Sequence, residues 1–316
     1  MSLSATARPP HGSDVVQPFL LERAAVRGRF VRLATTLDWV LGAHDYPDRV
    51  GRELAELMVL AGAFVGALKF EGVFSLQVRA DGPIRLLVVD VTNDGIMRGY
   101  ASFDRASLLT AHEQGTATLY GRGVLALTVD QRPAGGAMQQ GIVRLDGRSL
   151  SEAVLAYFHQ SEQIPTGLRT AIGRDPFLHR WRAAGIVVQA MPGEGSQDPE
   201  ERAEHWRRVM LLLQTASEAE LLSESLSIDE VLWRLFHEEG VRVFQPLPIE
   251  PGCSCDEERV REMLLRFPRH EIEAMRLEDG AIEVTCQFCS RRYRFARDDV
   301  SALQDESDAR RLGDRR

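Results

Sequence analysis

All four cysteines of this 316-residue chain lie between residues 253 and 289, and the first 252 residues contain none. They form two close pairs, Cys253-Ser-Cys255 and Cys286-Gln-Phe-Cys289, which are separated by thirty residues. Two short pairs on turns suit a tetrahedral metal ion with sulfur ligands, because only one long loop must close around the ion. Four thiolates favour zinc, with an iron–sulfur cluster as the weaker alternative. The pattern predicts a C-terminal metal-binding module of about 50 residues, whose folding depends on the metal because so short a segment buries little core.

Other interpretations of the cysteines are weaker. Four unrelated buried cysteines would not cluster in this way, and a thioredoxin-like pair requires a βαβ context, whereas 283–289 is typical of a strand that enters a turn. A catalytic zinc site is disfavoured because four thiolates leave no position for water, and His270, between the pairs, is predicted to be solvated. A disulfide between Cys253 and Cys255 would close a strained ring. The spacing alone favours a purely structural zinc site, and a site that responds to an oxidant remains an alternative interpretation.

The composition excludes several classes of protein. A chain that is 44% hydrophobic and 27% charged is expected to fold, and a net charge of −8 with a pI near 5.6 argues against a nucleic-acid partner. The longest apolar run, 57–68, is shorter than the ~20 residues that span a bilayer. The N-terminus lacks the apolar segment of a secretory signal, so we expect a cytoplasmic protein with reduced thiols and no membrane partner.

Residues 17–192 are predicted to form an α+β core domain with a mixed sheet and flanking helices, after a disordered leader at 1–16. Apolar periodicity and turn residues predict the elements of this domain. We expect a strand and a short helix within 26–45, helices at 47–69 and 150–162, and strands at 74–79, 84–91, 96–103, 116–121, 123–130, 140–145 and 183–191.

A change of composition at Pro192 to Gln197 marks the start of a hinge and helical linker, predicted over 193–248. Its segment 199–238 has apolar residues at helical spacing and acidic residues opposite them, so its apolar stripe needs a partner surface. The zinc-binding domain is predicted over 249–300. A charged tail at 301–316 is expected to be disordered.

Several stretches resemble one known family, the redox-regulated thirty-three-kilodalton chaperonin, a bacterial heat-shock holdase. The two cysteine pairs have the spacing of that family, and the resemblance extends over about residues 17–297. The other matching stretches are Asp81-Gly82-Pro83, Met97-Arg98-Gly99, Tyr157-Phe158, Ser161-Glu162-Gln163-Ile164-Pro165-Thr166 and Leu232-Trp233-Arg234-Leu235-Phe236-His237-Glu238-Glu239. One departure is Ser290, where many relatives carry glycine, so the turn after the second pair is expected to differ slightly.

The resemblance implies both a site and a mechanism. The implied zinc ligands, which also form the redox switch, are Cys253, Cys255, Cys286 and Cys289. One Zn²⁺ per chain is implied in the reduced, inactive state, with disulfides Cys253–Cys255 and Cys286–Cys289 in the oxidised state. Oxidation is then expected to release the metal, unfold the zinc domain and the linker, and produce a form, typically dimeric, that binds unfolding client proteins without ATP.

Two other functions compete with this one. The stretch 291–297 interleaves arginines with Tyr293 and Phe295, which is typical of a zinc ribbon that binds nucleic acid. Residues 250–316 nevertheless hold sixteen acidic residues against thirteen arginines, so we expect the arginines to form a solvated face and the two aromatic rings a small core. An enzyme is not expected, since the glycines near residues 121 and 135 lack the strand–loop–helix context of a nucleotide site and there is no nucleophile elbow.

Overall fold

The computed structural model describes residues 14–65, 71–110, 117–175 and 179–313. The chain divides into two compact units, Met1–Gly252 and Cys253–Arg316. Among the described residues, no helix combines the length and the apolar character needed to cross a membrane. Both units mix helices and strands, so the predicted α+β fold class is confirmed.

Two six-stranded sheets form the frame of the larger unit. The first is antiparallel, with the order β10-β1-β2-β9-β8 and with β11 paired to β1. Its strands are β1 (Val15–Leu21), β2 (Val26–Leu33), β8 (Thr166–Arg174), β9 (Trp181–Ala190), β10 (Val241–Val243) and β11 (Leu247–Pro248). The second has the order β12-β5-β4-β3-β6-β7 and is antiparallel except for the β12–β5 pair. Its strands are β3 (Val73–Ala80), β4 (Ile84–Thr92), β5 (Ile96–Phe103), β6 (Gly123–Asp130), β7 (Met138–Arg144) and β12 (Glu250–Pro251).

Helix α2 (Asp48–Val65) packs against strands of both sheets. Its apolar residues are buried around the whole circumference in the C-terminal half, as the sequence predicts for a helix inside a core. The approach to β9 is close, because a Cβ at Gly185 would lie 2.5 Å from Cγ1 of Val59. Glycine is therefore required at that position on the strand.

Four shorter helices complete this core: α1 (Thr35–Gly42), α3 (Arg105–Thr110), α4 (Ala117–Tyr120) and α5 (Leu150–Tyr157). The carboxylate of Asp14 fixes the start of α1, since it accepts hydrogen bonds from the backbone N–H groups of Ala34, Thr35 and Thr36. A capping box between Ser149 and Glu152 begins α5. One π-helical turn, Phe158–Glu162, continues it and ends at a residue in the left-handed region.

The linker segment packs on the opposite face of the first sheet. Its helices are α6 (Pro199–Thr215), α7 (Glu218–Leu222) and α8 (Ile228–Phe236). Their apolar side chains, such as Leu213 and Phe236, join Phe19, Phe30 and Ile186 of the sheet in a second hydrophobic core. The amphipathic stripe predicted over 199–238 therefore has a partner surface within its own unit.

The smaller unit has a core of its own. It contains the helices α9 (Glu257–Leu264), α10 (Arg269–Ala274) and α11 (Arg297–Gly313) and the antiparallel pair β13 (Ile282–Thr285) and β14 (Arg292–Phe295). Nine hydrophobic residues are buried between these elements: Val260, Leu264, Leu265, Ile272, Ile282, Tyr293, Phe295, Val300 and Leu303.

Three expectations from the sequence were wrong. The strand predicted at 116–121 is instead helix α4 over its described residues, because burial of Leu119 and Tyr120 overrides their preference for strands. Strand β1 begins at Val15, inside the leader predicted to be disordered at 1–16; residues 1–13 lie outside the described part of the chain. The charged tail predicted at 301–316 belongs to helix α11 up to Gly313, because Leu303 packs into the small core. The predicted domain bounds at 192/193 and 248/249 remain predictions.

Candidate metal centre

The first cysteine pair lies immediately before α9. Asp256 caps this helix by accepting a hydrogen bond from the backbone N–H of Arg259 at 2.8 Å. The Arg259 guanidinium in turn donates to the carbonyl oxygen of Ser254, between the two cysteines. The helix start therefore holds the backbone of the Cys253–Cys255 segment in a defined position.

The second pair lies in the turn between β13 and β14. The backbone N–H of Cys286 donates to the carbonyl oxygen of Arg291, and the N–H of Ser290 donates to that of Cys286, both at 2.9 Å. Ser290 adopts φ of +56°, in the left-handed region that favours glycine. This is the position at which the sequence departs from the family it resembles, and the left-handed backbone is a physical reason why glycine would suit it.

The four sulfur atoms converge. Sγ of Cys253 lies 3.7 Å from that of Cys286, Sγ of Cys255 lies 3.3 Å from that of Cys289, and all four lie within 4.8 Å of one another. Tetrahedral coordination at ~2.3 Å requires sulfur atoms separated by about 3.8 Å, so this donor set fits a metal ion that prefers thiolates. His270 is expected to be solvated, and its side chain is 82% exposed.

The pKa values of the thiols differ. Burial raises the pKa of Cys253, but hydrogen bonds from the Cys255 backbone and from the neighbouring thiols outweigh it and bring that pKa to about 7. Burial raises the pKa of Cys289 to about 12, and it also raises that of Cys255. One thiol is therefore poised to ionise near neutral pH, whereas a bound cation must supply the charge that ionises Cys255 and Cys289.

Tyr293 connects the metal centre with the small core. Its ring is 8% exposed, and its hydroxyl donates a hydrogen bond to Sγ of Cys255 at 3.1 Å. Sequence reasoning predicted the buried ring but missed this contact. The available signal was the position of Tyr293, which places its ring on the inner face of the strand that follows the second cysteine pair.

Two arginines near the centre are engaged with acidic neighbours. Arg294 forms ion pairs with Asp279 and Glu283, and Arg292 pairs with Glu283. Phe295 is only 4% exposed, so neither aromatic ring of this strand is available to stack on a base. The module thus lacks support for the nucleic-acid alternative.

Two sheets that enclose a helix, together with a four-thiol module, define a class: an α+β protein whose C-terminal unit has four cysteines positioned to hold a metal ion. The family model described as Hsp33 protein matches residues 14–296, and the chain belongs to this family. The 33 kDa chaperonin of Caulobacter vibrioides is 39% identical over 288 residues, which cover 89% of this chain and 94% of that protein. The 33 kDa chaperonin of Pseudomonas aeruginosa is 39% identical over 293 residues, which cover 92% and 94%. The resemblance seen in the sequence is confirmed, and membership in this family supports a chaperone.

The fold is also that of a solved structure. The crystal structure of the 33 kDa chaperonin of Thermotoga maritima, also titled heat shock protein 33 homolog, matches with a TM-score of 0.77. The two sequences are 22% identical, and the match covers 93% of this chain and 98% of that chain. This similarity concerns the fold alone.

Proposed function

We propose that this chain is a redox-regulated, ATP-independent holdase, inactive when reduced and bound to one Zn²⁺, and activated by oxidation. The observation that carries the proposal is the convergence of four thiols within 4.8 Å in a small unit that has only a small core. When bound, zinc supplies the charge that keeps the thiols ionised and much of the free energy that folds the unit, on the order of 10 kcal/mol for structural sites. The protein would then act in the cytoplasm on unfolding client proteins.

The proposed switch is a thiol oxidation. In each pair, Cys253–Cys255 and Cys286–Cys289, two thiolates give two electrons to hydrogen peroxide and form a disulfide, while the peroxide takes up two protons and becomes two water molecules. The two disulfides remove all four metal ligands, so the small unit loses the interaction that folds it.

The apolar surface that would hold clients is proposed to lie under the linker. Leu213, Leu232 and Phe236 of the linker are buried against the first sheet. If the linker loses structure after oxidation, this sheet face and the helix faces become exposed together, and a continuous apolar surface of this kind binds unfolding chains. We further propose that the oxidised form dimerises, as the resemblance implies.

The test follows light scattering from a heat-unfolded client protein while a chelating dye reports zinc release. The full chain is used without ATP, either reduced and zinc-loaded or treated with peroxide. We expect suppression of aggregation only after oxidation, in proportion to the zinc released. Replacing Cys286 and Cys289 by serine removes two of the proposed metal ligands together with one disulfide, so this variant tests whether loss of the metal alone activates the chain. If zinc is retained under peroxide and client aggregation is unchanged, the site has only a structural role and is not a switch.

A further inference from the structure

Tyr293 lies beside the four cysteines without being one of the proposed ligands. Its ring is 8% exposed, and its hydroxyl donates a hydrogen bond to Sγ of Cys255 at 3.1 Å. The ring is held in place by the pairing of its backbone with Val284 of β13 and by the other side chains of the small core. Because protein cores are closely packed, the hydroxyl cannot leave the sulfur unless this core opens.

A neighbouring arginine orients this hydroxyl. The exposed Arg291 forms a side-chain hydrogen bond with Tyr293, and this bond raises the pKa of the Arg291 guanidinium. A guanidinium has donors and no acceptor, so the phenolic oxygen accepts this bond. The phenolic proton is therefore left for the other partner, which is the sulfur of Cys255. Arg291, Tyr293 and Cys255 thus form a directed chain of two hydrogen bonds.

Two other sulfurs accept hydrogen bonds from the backbone. Sγ of Cys253 accepts from the N–H of Cys255, and Sγ of Cys289 accepts from the N–H of Arg291. These donors belong to the turns that carry the cysteines, so a side-chain substitution leaves them in place. The Tyr293 hydroxyl is different, because one substitution removes it and its bond is directed to the first cysteine pair. The second pair can therefore serve as an internal reference.

The hydrogen bond from Tyr293 has a chemical consequence in the zinc-loaded state. All four sulfurs are then thiolates, because metal ligation requires deprotonated cysteines. A bond from a hydroxyl to a thiolate is charge-assisted, and such bonds are stronger than those between neutral groups. It draws electron density away from the Cys255 sulfur, and a less basic thiolate is a weaker nucleophile. The bond therefore acts on the reactivity of Cys255 and not on the fraction of it that is ionised.

We propose that Tyr293 slows the attack of the Cys255 sulfur on oxidants and thereby sets the rate at which the first disulfide closes. The inference rests on the proposed redox switch and concerns the same site. The Cys255 thiolate attacks one oxygen of hydrogen peroxide, so that an S–O bond forms, the O–O bond breaks and hydroxide leaves. The Cys253 thiolate then attacks the same sulfur, an S–S bond forms, and the oxygen leaves as a second hydroxide. Tyr293 is thus a positioning residue, whose bond must weaken before Cys255 reacts.

The first test measures the nucleophilicity of each cysteine directly. The reduced, zinc-loaded full chain is treated with a limiting amount of iodoacetamide, and fragmentation mass spectrometry gives the initial alkylation rate at each cysteine. We expect Tyr293→Phe, which keeps the ring and removes the hydroxyl, to raise the rate at Cys255 by roughly 3- to 10-fold. The rates at Cys286 and Cys289 should stay unchanged. No change at Cys255, or an equal rise at all cysteines through loosening of the small unit, would overturn the proposal.

Arginine variants test the orientation of the hydroxyl without altering the core. Arg291→Met removes the donor that orients Tyr293 and should raise the alkylation rate at Cys255 by a smaller factor, on the order of 2-fold. Arg292→Met changes the neighbouring exposed arginine, which pairs with Glu283, and should leave that rate unchanged. If Tyr293→Phe does not fold, these two variants decide the proposal, because equal rates at Cys255 in both would contradict the chain of hydrogen bonds.

The second test follows the disulfides under excess hydrogen peroxide. Mass spectrometry measures the closing rate of Cys253–Cys255, with Cys286–Cys289 in the same sample as the reference. We expect Tyr293→Phe to speed the first pair by a similar factor and to leave the second unchanged. An unchanged first pair would contradict the control of disulfide closure by Tyr293. If neither disulfide forms in the unaltered chain, the proposed switch and this part of the inference both fail, whereas the alkylation rates still decide whether Tyr293 restrains Cys255.

Discussion

At the scale of single residues, the candidate metal centre depends on residues other than its four cysteines. Tyr293 donates to the sulfur of Cys255, Arg259 holds the backbone of the first pair, and Ser290 takes a left-handed conformation to close the turn of the second pair. Such neighbours orient metal ligands and tune their affinity. The cysteine spacing predicts the donor set, but it does not predict these supporting contacts, because they depend on how the small core packs.

The residue Glu53 makes the stability of the larger unit depend on pH. It is 4% exposed, accepts a hydrogen bond from Tyr120, and has a pKa that burial raises from 4.5 to about 7. Because the folded-state pKa lies above the unfolded value, its stabilising contribution is complete below pH 4.5 and is lost as the pH rises through about 7. We expect Glu53→Gln, which keeps an acceptor for Tyr120, to differ least from the unaltered chain at pH 5 and to be more stable by up to ~3 kcal/mol at pH 8.

Urea unfolding of the reduced, zinc-loaded protein between pH 5 and pH 8 measures this difference. Glu194→Gln removes an exposed carboxylate and should leave the pH dependence unchanged. Equal free energies of unfolding for Glu53→Gln and the unaltered chain at pH 8 would show that the Glu53 carboxylate is not destabilising there.

At the scale of elements, the sequence predicted those whose apolar pattern matches their burial. Helix α2 and strands β3 to β6 were expected close to their observed bounds, because each buries a regular face or, for α2, its whole circumference. Strand β8 was missed because Gly167, Arg169 and Gly173 interrupt its alternation. The short strands β10 to β12 were missed because two or three residues carry no periodic signal. The convergence of the four cysteines was predictable from the sequence, because the spacing of the two pairs along the chain requires no knowledge of packing.

Helix α11 is predicted to stabilise the metal module rather than to extend from it. Leu303 is 1% exposed in the small core, and Ser307 on the same helix donates to the carbonyl oxygen of Phe267. We expect Leu303→Ala to destabilise the unit by ~2–4 kcal/mol and to lower the temperature at which zinc is released, measured with a chelating dye during heating. Ala302→Ser, at the neighbouring exposed position, should shift that temperature much less. Equal shifts for both variants would mean that α11 does not support the site.

At the scale of the whole molecule, the proposed inactive state requires a linker that is packed on the first sheet. One ion pair stabilises the packing of the linker helices on one another. Arg208 of α6 donates through two nitrogens to the carboxylate of Glu239, which follows α8 and is 1% exposed. The Arg208 side chain is 40% exposed, so its removal, which leaves the buried Glu239 carboxylate without its partner, costs less than the ~3–5 kcal/mol of a fully buried pair. The pair therefore links α6 to the end of α8 while the linker covers the sheet.

We expect Arg208→Met to loosen the linker and to suppress client aggregation without any oxidant, with zinc still bound. The measurement is light scattering from a heat-unfolded client under reducing conditions, with the dye reporting zinc. The double variant Arg208→Met, Glu239→Gln removes the stranded charge as well and should return towards the inactive behaviour of the unaltered chain. If Arg208→Met stays inactive while its linker is shown by proteolysis to be exposed, the client surface does not lie beneath the linker.

The parallel pairing of β12 with β5 fixes the backbone that leads into the first cysteine pair. Gly252 donates its N–H to the carbonyl oxygen of Met97, so the backbone is held in the second sheet up to the residue before the first cysteine. After the proposed oxidation, residues 253–316 would be a flexible chain that is attached at one end to the folded larger unit. A free chain of that length has a root-mean-square extension of roughly 40–50 Å. The freed chain would then reach through a hemisphere roughly 80–100 Å wide, more than twice the ~30 Å diameter of a small domain, while β12 stays paired in the sheet.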